Sequence, residues 1–388
     1  MNAIDKLRKT ILPHESLYEN EDLRIFPKRQ KELWDEGYDT EEKKYVGAKW
    51  GKYLRAPEIF FKILESGKGK LVPLKEVAEV RRGFTTGANE FFYLSEEEIK
   101  RRKIEKEFWM HKDENGKWVP NKVLVSPREA KHVVLNPEDL DRIVLIIGKE
   151  KSRLKGKSIL SYVERGERKG YDERATCSSR NLWYSLEFRQ PWPILHPMIH
   201  HDRQTIVSNK PGVQVDHNLF EIKPKRKRDV LPLLCFLLST GSMLIKEFAG
   251  RVNLGEGALK TEGIDVERLL VPKDFPKESR KLLAKLAQKH PDTKIESIFS
   301  ELKAKDANEV SLDKIGFVRR ELDKIIMGEI LGLTEEEQVE VYRSIIDLVK
   351  ARIEKAKSFG NRRKTKEGID IGAFKNSVMQ RIKKESYQ

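Results

Sequence analysis

Glu221 and Lys223 form the E-x-K pattern that magnesium-dependent nucleases use. Such a site needs a further carboxylate on a neighbouring strand, because the carboxylates together hold the Mg²⁺ that assists hydrolysis. The nearest acid, Asp216, lies five residues upstream, too close for a hairpin to intervene. With 36% charged residues in the chain, chance occurrence is the favoured interpretation. A stand-alone magnesium-dependent nuclease remains the alternative.

Three histidines in one short segment are the other candidate metal ligands. On a helix, His196 and His200 would share a face, as zinc ligands can. Nearby prolines argue against a helix, so we predict a pair of hydrogen-bonding histidines beside an aromatic core. The chain contains no G-x-x-x-x-G-K-[ST], G-x-G-x-x-G, G-x-S-x-G or H-E-x-x-H. These motifs would have indicated nucleotide binding, acyl transfer or zinc hydrolysis. No cofactor is therefore expected in this chain.

Basic residues that cluster beside turn formers favour contact with nucleic acid. In residues 81–93, RRGFTTGANEFFY, Gly83 and Gly87 permit a tight turn or a close backbone approach. Polar side chains here can meet phosphates or base edges. An equally weighted alternative is a structural turn with the aromatic residues 91–93 docked beneath it. The predicted base readers are Arg81, Arg82, Thr85, Thr86 and Asn89.

Further cationic and polar residues form a second group of candidates. The run Lys225, Arg226, Lys227 and Arg228 follows Pro224 and is predicted to contact phosphates. Trp183 and Tyr184 are more typical of a core than of base stacking. The second-rank predicted base readers are Arg174, Arg180, Arg251, Asn253 and Lys260.

Length and charge limit the class of protein. The 388 residues allow two or three domains at roughly 100–200 residues each. Lys and Arg number 77 against 62 Asp and Glu, and this net charge of +15 favours a polyanionic partner. Two cysteines cannot form a disulfide framework, and neither a signal peptide nor a ~20-residue apolar span is visible. We expect a soluble cytoplasmic protein with no membrane partner, and the Lys/Glu excess suits a thermophile.

Three zones differ in residue pattern. Residues 1–66 are a connector or docking segment, 67–275 carry most strand-like runs, and 276–388 form a helical region with a basic tail. Irregular connections favour an α+β fold, in which a mixed, mostly antiparallel domain precedes the helices. The predicted strands are Val123–Val125, His132–Leu135, Ile143–Ile147 and Val213–Ile222.

The third zone carries clear helix signals. Thr334-x-x-Glu337 is a capping box that precedes an apolar stripe from Val339 to Ala356. Gly332 separates this helix from an upstream one, and together they predict an antiparallel hairpin. Thr293-x-x-Glu296 predicts the start of a shorter helix.

The motifs together resemble a known family. Residues 71–93, LVPLKEVAEVRRGFTTGANEFFY, closely resemble the opening of the target-recognition domain in Taq-type adenine-N6 DNA methyltransferases of restriction–modification systems. Type I specificity subunits share this opening. The block around Trp183-Tyr184 and the segment 231–272, with GEGALK at 255–260, are similar to its middle and closing parts. Residues 53–57 and 331–358 resemble flanking regions, so the likeness spans most of residues 20–358.

The resemblance implies a prokaryotic DNA-binding specificity subunit or C-terminal half. The family's N-P-P-Y motif, which holds the flipped adenine, is absent, because Asn136-Pro137 continues as Glu138-Asp139. The glycine-rich S-adenosylmethionine loop is missing as well. The resemblance therefore implies double-stranded DNA and a catalytic methyltransferase subunit as partners, with S-adenosylmethionine on that subunit. A divergent methyltransferase and a scaffold or RNA-binding protein are the remaining alternatives.

Overall fold

A computed structural model describes residues 3–20, 23–40, 42–113, 115–252 and 257–364. Helices occur in all three zones and become continuous towards the end of the chain. The helices are α1 (Ala3–Ile11), α2 (Gln30–Asp35), α3 (Gly51–Arg55), α4 (Glu58–Ser66), α5 (Leu74–Val77), α6 (Asn89–Phe92), α7 (Glu96–Arg101), α8 (Lys151–Leu154), α9 (Ser158–Arg168), α10 (Ala175–Ser178), α11 (Val230–Leu238), α12 (Thr240–Ala249), α13 (Gly263–Glu267), α14 (Lys277–Lys289), α15 (Ile298–Leu302), α16 (Phe317–Asp323) and α17 (Glu335–Lys364).

The strands are short and lie mostly in the middle zone. They are β1 (Tyr18–Glu19), β2 (Arg24–Ile25), β3 (Tyr38–Asp39), β4 (Lys44–Tyr45), β5 (Leu71–Pro73), β6 (Ala78–Arg82), β7 (Tyr93–Leu94), β8 (Met110–Lys112), β9 (Trp118–Pro120), β10 (Val123–Leu124), β11 (Ile143–Val144), β12 (Ile194–Pro197), β13 (Ile199–His200), β14 (Val207–Ser208), β15 (Gln214–Val215), β16 (Leu219–Pro224), β17 (Leu259–Lys260) and β18 (Leu270–Pro272). Their pairing is antiparallel except for β10 with β15, which confirms the α+β class and its mostly antiparallel sheets.

The largest sheet in the described ranges has four antiparallel strands in the order β14-β12-β16-β6. Its longest strand, β16, lies between β12 and β6 and is buried except at Lys223. The predicted strand over 213–222 is in fact two strands, because Asn218 donates its backbone N–H to the Asp216 side chain and turns the chain. Residues 132–135 form isolated bridges rather than a strand.

One main apolar core draws side chains from all three zones, including Phe60, Phe236 and Tyr342. A second cluster under the β6–α6 turn contains Phe91, Val163 and Trp183. At the two ends of the middle zone, β5 pairs with β18. The three zones thus share a core, and the boundaries at 66 and 275 remain predictions.

The predicted helix after Thr334 is confirmed. Thr334 and Glu337 make both reciprocal hydrogen bonds of the capping box, at 3.3 and 3.0 Å. Buried residues of α17 form the predicted stripe and pack against α12 and α4. The shorter helix, α15, starts later than predicted, because the hydroxyl of Ser297 caps it by accepting a hydrogen bond from the N–H of Ser300.

No single helix in these residue ranges is long and apolar enough to cross a bilayer. The bent pair formed by residues 227–238 and 240–249, with a 74° change of direction, is sufficiently apolar by composition. From residue 232 to residue 248 its side chains are all buried within the fold.

We expect Ile345→Ala to destabilise the protein by about 2–5 kcal/mol, since it removes a fully buried side chain from the α17 stripe. Arg343→Ala, on the exposed face of the same helix, should change stability by less than about 0.5 kcal/mol. Denaturant unfolding compares the two, and equal effects would show that α17 does not pack as described.

Candidate nucleic-acid interface

The turn after β6 is fixed by close backbone contacts. A Cβ at Gly83 would overlap the carbonyl oxygens of Val215 and Asp216, so only glycine fits there. The N–H of Phe84 donates to the Val215 carbonyl at 2.7 Å. Gly87 has a φ of +78°, a conformation that favours glycine. The two glycines therefore shape a rigid loop, residues 83–89.

The aromatic residues that follow are docked beneath this loop. Phe91 and Phe92 are fully buried, and the Phe91 ring contacts Tyr162 and Trp183 at centroid distances of 4.8 and 4.7 Å. This is the structural alternative raised by the sequence. It explains why glycines and aromatic residues occur here. The roles of the polar side chains of the loop depend on the contacts that each one makes.

Two of the predicted base readers hold the loop together. Thr86 is buried, its hydroxyl hydrogen bonds to the Asn89 side chain, and it accepts the N–H of Ala88. Thr85 and Arg82 are exposed. Arg82 makes two hydrogen bonds, from Nε to the His217 carbonyl at 2.9 Å and from Nη2 to the Sδ of Met198 at 4.0 Å. Of the five base readers predicted in residues 81–93, Arg82 and Thr85 are the ones whose side chains remain accessible to DNA.

Arg81 is engaged in an ion pair. Its Nε and Nη2 donate to the two carboxylate oxygens of Glu221 at 2.7 and 2.9 Å, and its guanidinium lies 4.2 Å from the Trp192 ring. Glu221 also accepts the Trp192 N–H at 3.0 Å. Base reading by Arg81 stays a prediction, and the geometry gives it a role in joining β6 to β16.

The same contacts bear on the nuclease alternative. The Glu221 carboxylate is neutralised by Arg81, and the Asp216 carboxylate accepts the Tyr93 hydroxyl at 2.8 Å. No cluster of three or more His, Cys, Asp or Glu side chains in the described part of the chain could hold a metal ion. The geometry thus assigns Glu221 to an ion pair.

His196 and His200 lie on strands rather than on a helix, and both are buried. The Nε2 of His200 lies 3.3 Å from the Thr261 hydroxyl, and its Nδ1 lies 3.2 Å from the Nζ of Lys246. The prediction of hydrogen-bonding histidines is wrong for His196, since neither ring nitrogen has a partner among the described residues. Burial, reinforced by Lys246, lowers the pKa of His196 to about 3 and that of His200 well below 6.5.

Arg174 and Arg180 stabilise the loop at residues 83–89 by donating hydrogen bonds to its backbone carbonyls. Arg180 donates to the carbonyls of Thr85 and Thr86 at 2.6 and 2.9 Å. Arg174 donates to the Gly87 carbonyl at 3.2 Å and to Glu90 at 3.1 Å. Their reading of bases stays a prediction, while their observed contacts fix the loop that carries Thr85.

The basic run after β16 is only partly free. Arg226 bridges Asp229 and Asp274, and the Nζ of Lys225 donates to the Glu76 carbonyl at 2.9 Å. Lys227 and Arg228 are exposed and have no hydrogen-bonded or ion-paired side-chain partner in the ranges described. These two residues are the better placed of the predicted phosphate contacts.

The closing block lies on another strand pair. Arg251 and Lys260 exchange backbone hydrogen bonds of 2.7 and 2.9 Å. The Lys260 side chain pairs with Glu262 at 2.5 Å, and Arg251 is exposed. Asn253 lies outside the described residues.

One exposed arginine was missed by the sequence reasoning. Arg189 donates to the Arg82 carbonyl at 3.0 Å and stacks over Phe84 at 4.7 Å, so it lies beside the accessible loop. Its place between Phe188 and Trp192 was the available signal, because cations beside aromatics are typical of nucleic-acid contacts.

Comparison with known proteins places the chain in a family. Residues 47–306 match the family model of the type II methyltransferase M.Eco57I, C-terminal domain. The match covers more than half of the chain, which therefore belongs to this family. It confirms the resemblance to the C-terminal part of restriction–modification DNA methyltransferases.

Individual relatives are longer than this chain. It is 26% identical over 208 residues to the type II methyltransferase M.AccI of Acinetobacter calcoaceticus, covering 51% of this chain and 36% of that protein. The fold is similar to the type IIG restriction endonuclease BpuSI, with a TM-score of 0.51, 13% identity, and 77% and 34% of the two chains covered. The type IIL restriction–modification enzyme MmeI, solved in complex with DNA, matches with a TM-score of 0.44, 14% identity, and 73% and 36% covered. The chain thus spans about a third of the length of these proteins.

The neighbouring arginines should behave differently on substitution. Arg81→Ala leaves the buried Glu221 carboxylate uncompensated, and we expect a loss of about 2–4 kcal/mol of stability. Arg82→Ala should cost less than about 0.5 kcal/mol, because its side chain is exposed. Urea unfolding measures both. The double variant Arg81→Met with Glu221→Leu should recover most of the loss, and failure to recover it would contradict an ion-pair role.

The buried histidines predict a loss of stability in acid. In the unfolded chain the imidazoles take up protons as the pH falls through about 6.5, whereas the folded chain keeps them neutral. Stability should therefore fall from about pH 7 downwards, by up to about 1.4 kcal/mol per pH unit for each imidazole. His196→Gln should reduce the drop in urea midpoint between pH 7.5 and 5.5. The half-buried His132→Gln is the control, and an unchanged pH dependence in His196→Gln would refute this cause.

Proposed function

We propose that this chain is the target-recognition part of a DNA adenine-N6 methyltransferase of a restriction–modification system. The observation that carries the proposal is the rigid loop after β6. It holds Thr85 accessible near Arg82, at the end of β6, and Arg189, and its backbone is fixed by hydrogen bonds that Arg180 and Arg174 donate to its carbonyls. Membership of the family and the charge of +15 support DNA as the partner.

The chemistry of these side chains suits sequence reading. A guanidinium donates two parallel hydrogen bonds to the O6 and N7 of guanine in the major groove, and a hydroxyl can donate to or accept from a base edge. Because the loop is held by backbone contacts, little conformational entropy is lost when it binds. Lys227 and Arg228 would neutralise phosphates and set the register without reading sequence.

We further propose that methyl transfer is performed by a catalytic methyltransferase part that binds S-adenosylmethionine and docks to this chain. The apolar face of α1 supports a protein partner, since Ile4, Leu7 and Ile11 are 68%, 51% and 37% exposed, and Leu12, which follows the helix, is 75% exposed. Trp34 and Trp50, also exposed, extend the apolar surface of residues 1–66. A prokaryotic, cytoplasmic setting, and a thermophilic one, are part of the proposal.

Duplex binding tests the recognition role. Fluorescence anisotropy with labelled DNA should show affinity that falls steeply between 50 and 300 mM salt, a range over which the release of counterions is readily measured. Arg82→Ala should weaken binding to the recognised site by about 1–3 kcal/mol. Arg101→Ala, an exposed arginine on α7, is the control with the same change in charge. Salt-independent binding, or equal effects of the two substitutions, would contradict the proposal.

Docking has its own test. Leu7→Asp places a charge on the exposed apolar face of α1 and should weaken association with a catalytic methyltransferase chain at least tenfold, because a charge would be buried without a partner. Lys9→Asp on the same helix is the control substitution. Size-exclusion chromatography with light scattering follows the complex, and an unaffected complex in Leu7→Asp would refute docking through α1.

A further inference from the structure

An open cleft of about 1240 Å³ lies where the middle zone meets the last helix. One wall is the turn at residues 126–128, and another is the segment from Ile199 to Thr205. The remaining wall is α17, with Phe299 and Lys305 at its side. None of the residues lining this cleft was singled out as a DNA contact from the sequence.

The lining combines cationic and apolar side chains. Two carboxylates, Asp202 and Glu354, face a larger number of cations. Ile199, Ala258, Phe299 and Ile353 supply carbon surface. The cations are Arg128, Arg203, Lys305, Lys350 and Lys357, with His201 beside them.

Three of these cations are not engaged in contacts that stabilise the fold within the described residues. Arg128, Lys305 and Lys357 are exposed, and their side chains make no hydrogen bond or ion pair within the described residues. By contrast, Lys350 pairs with Asp306, and Arg203 donates to the Ile295 carbonyl at 3.1 Å. Three unpaired cations around one concavity raise the local positive potential and favour a polyanion.

The cleft borders both the opening and the closing blocks of the chain. Asn218, which lines it, adjoins His217, whose carbonyl accepts a hydrogen bond from the Arg82 guanidinium. Ile199, which also lines it, pairs with Lys260 of the closing block and follows Met198, whose N–H donates to the Asn218 carbonyl at 2.9 Å. Arg82 and the closing block therefore lie at one edge of this cleft, and DNA that contacts them lies beside it.

The walls are braced before any ligand binds. Arg352 of α17 is buried, forms an ion pair with Glu247 at 2.9 Å and donates to the His201 carbonyl at 3.0 Å. The same guanidinium donates to the carbonyl of Gly257. The helix, the 199–205 segment and the closing block are thus tied together at one point, and the cleft is preformed.

We propose that this cleft holds the sugar–phosphate backbone of the bound DNA duplex, with Arg128, Lys305 and Lys357 neutralising phosphates. The inference rests on the proposed function and specifies where on this chain the bound DNA would lie. Sugars can lie against the apolar side chains, while the amines and the guanidinium meet phosphate oxygens. The three cations lie on separate segments, an arrangement that suits an extended polyanion better than one small anion.

A charge-matched pair of triple variants tests the inference. One carries Arg128→Ala, Lys305→Ala and Lys357→Ala, and the control carries Arg153→Ala, Lys285→Ala and Lys289→Ala, which are exposed residues outside the cleft. The slope of log affinity against log salt should be shallower by about two to three for the cleft variant, since each phosphate contact contributes about 0.9. Its affinity at 100 mM salt should fall at least tenfold relative to the control. Its preference for the recognised site should be unchanged.

The outcomes separate this inference from the proposed function. If the unmodified chain binds no duplex, the proposed function fails. If it binds and both triple variants lose the same affinity and slope, only the cleft assignment fails. Should the cleft variant unfold, lysine acetylation of the unmodified chain replaces it. Duplex should protect Lys305 and Lys357 and leave Lys285 and Lys289 reactive, and equal reactivity at all four lysines would overturn the assignment. Equal protection of Lys305 and Lys357 by inorganic phosphate in place of the duplex would indicate a small-anion site instead and would overturn the assignment.

Discussion

The register between β6 and β16 is the constraint on which the rest of the interface depends. Side chains alternate between the faces of a strand, so a shift of one residue would exchange Arg81 with Arg82. The observed register places Arg81 opposite Glu221 and Arg82 opposite Phe220. Arg81 is thereby engaged within the fold, and Arg82 stays exposed at the strand end. The loop after β6 starts from this fixed point.

The register in turn depends on packing that is distant in sequence. Gly83 can approach the Val215 and Asp216 carbonyls only because β15 and β16 are separated by the turn at Asn218. Arg180, almost a hundred residues further along than Thr85, fixes the other side of the loop. The loop at residues 83–89 is consequently irregular in shape but held on several sides, a rigidity that the proposed base-reading role would require.

Local patterns predicted part of this structure. The α17 capping box and apolar stripe could be predicted because both arise within one helix, and the irregular connections between strand-like runs indicated an α+β fold. Which arginines make structural contacts and which remain exposed could not be predicted from the sequence. Arg81, Arg82, Arg174 and Arg180 have the same chemistry, and only tertiary contacts distinguish them. Arg81 pairs with Glu221, Arg174 and Arg180 hold carbonyls of the loop, and Arg82 lies exposed at the end of β6. The start of α15 was misplaced for a similar reason: Thr293 and Ser297 are both good N-cap residues, and packing selected Ser297.

We propose that the chain reads sequence rather than binding DNA through its charge alone. Selection from a library of random duplexes, with repeated rounds of binding and sequencing, distinguishes these two modes of binding. We expect enrichment of one short motif, and loss of that enrichment at defined positions when Arg82 is replaced by alanine. Tight binding of the pool with no enriched motif would contradict it.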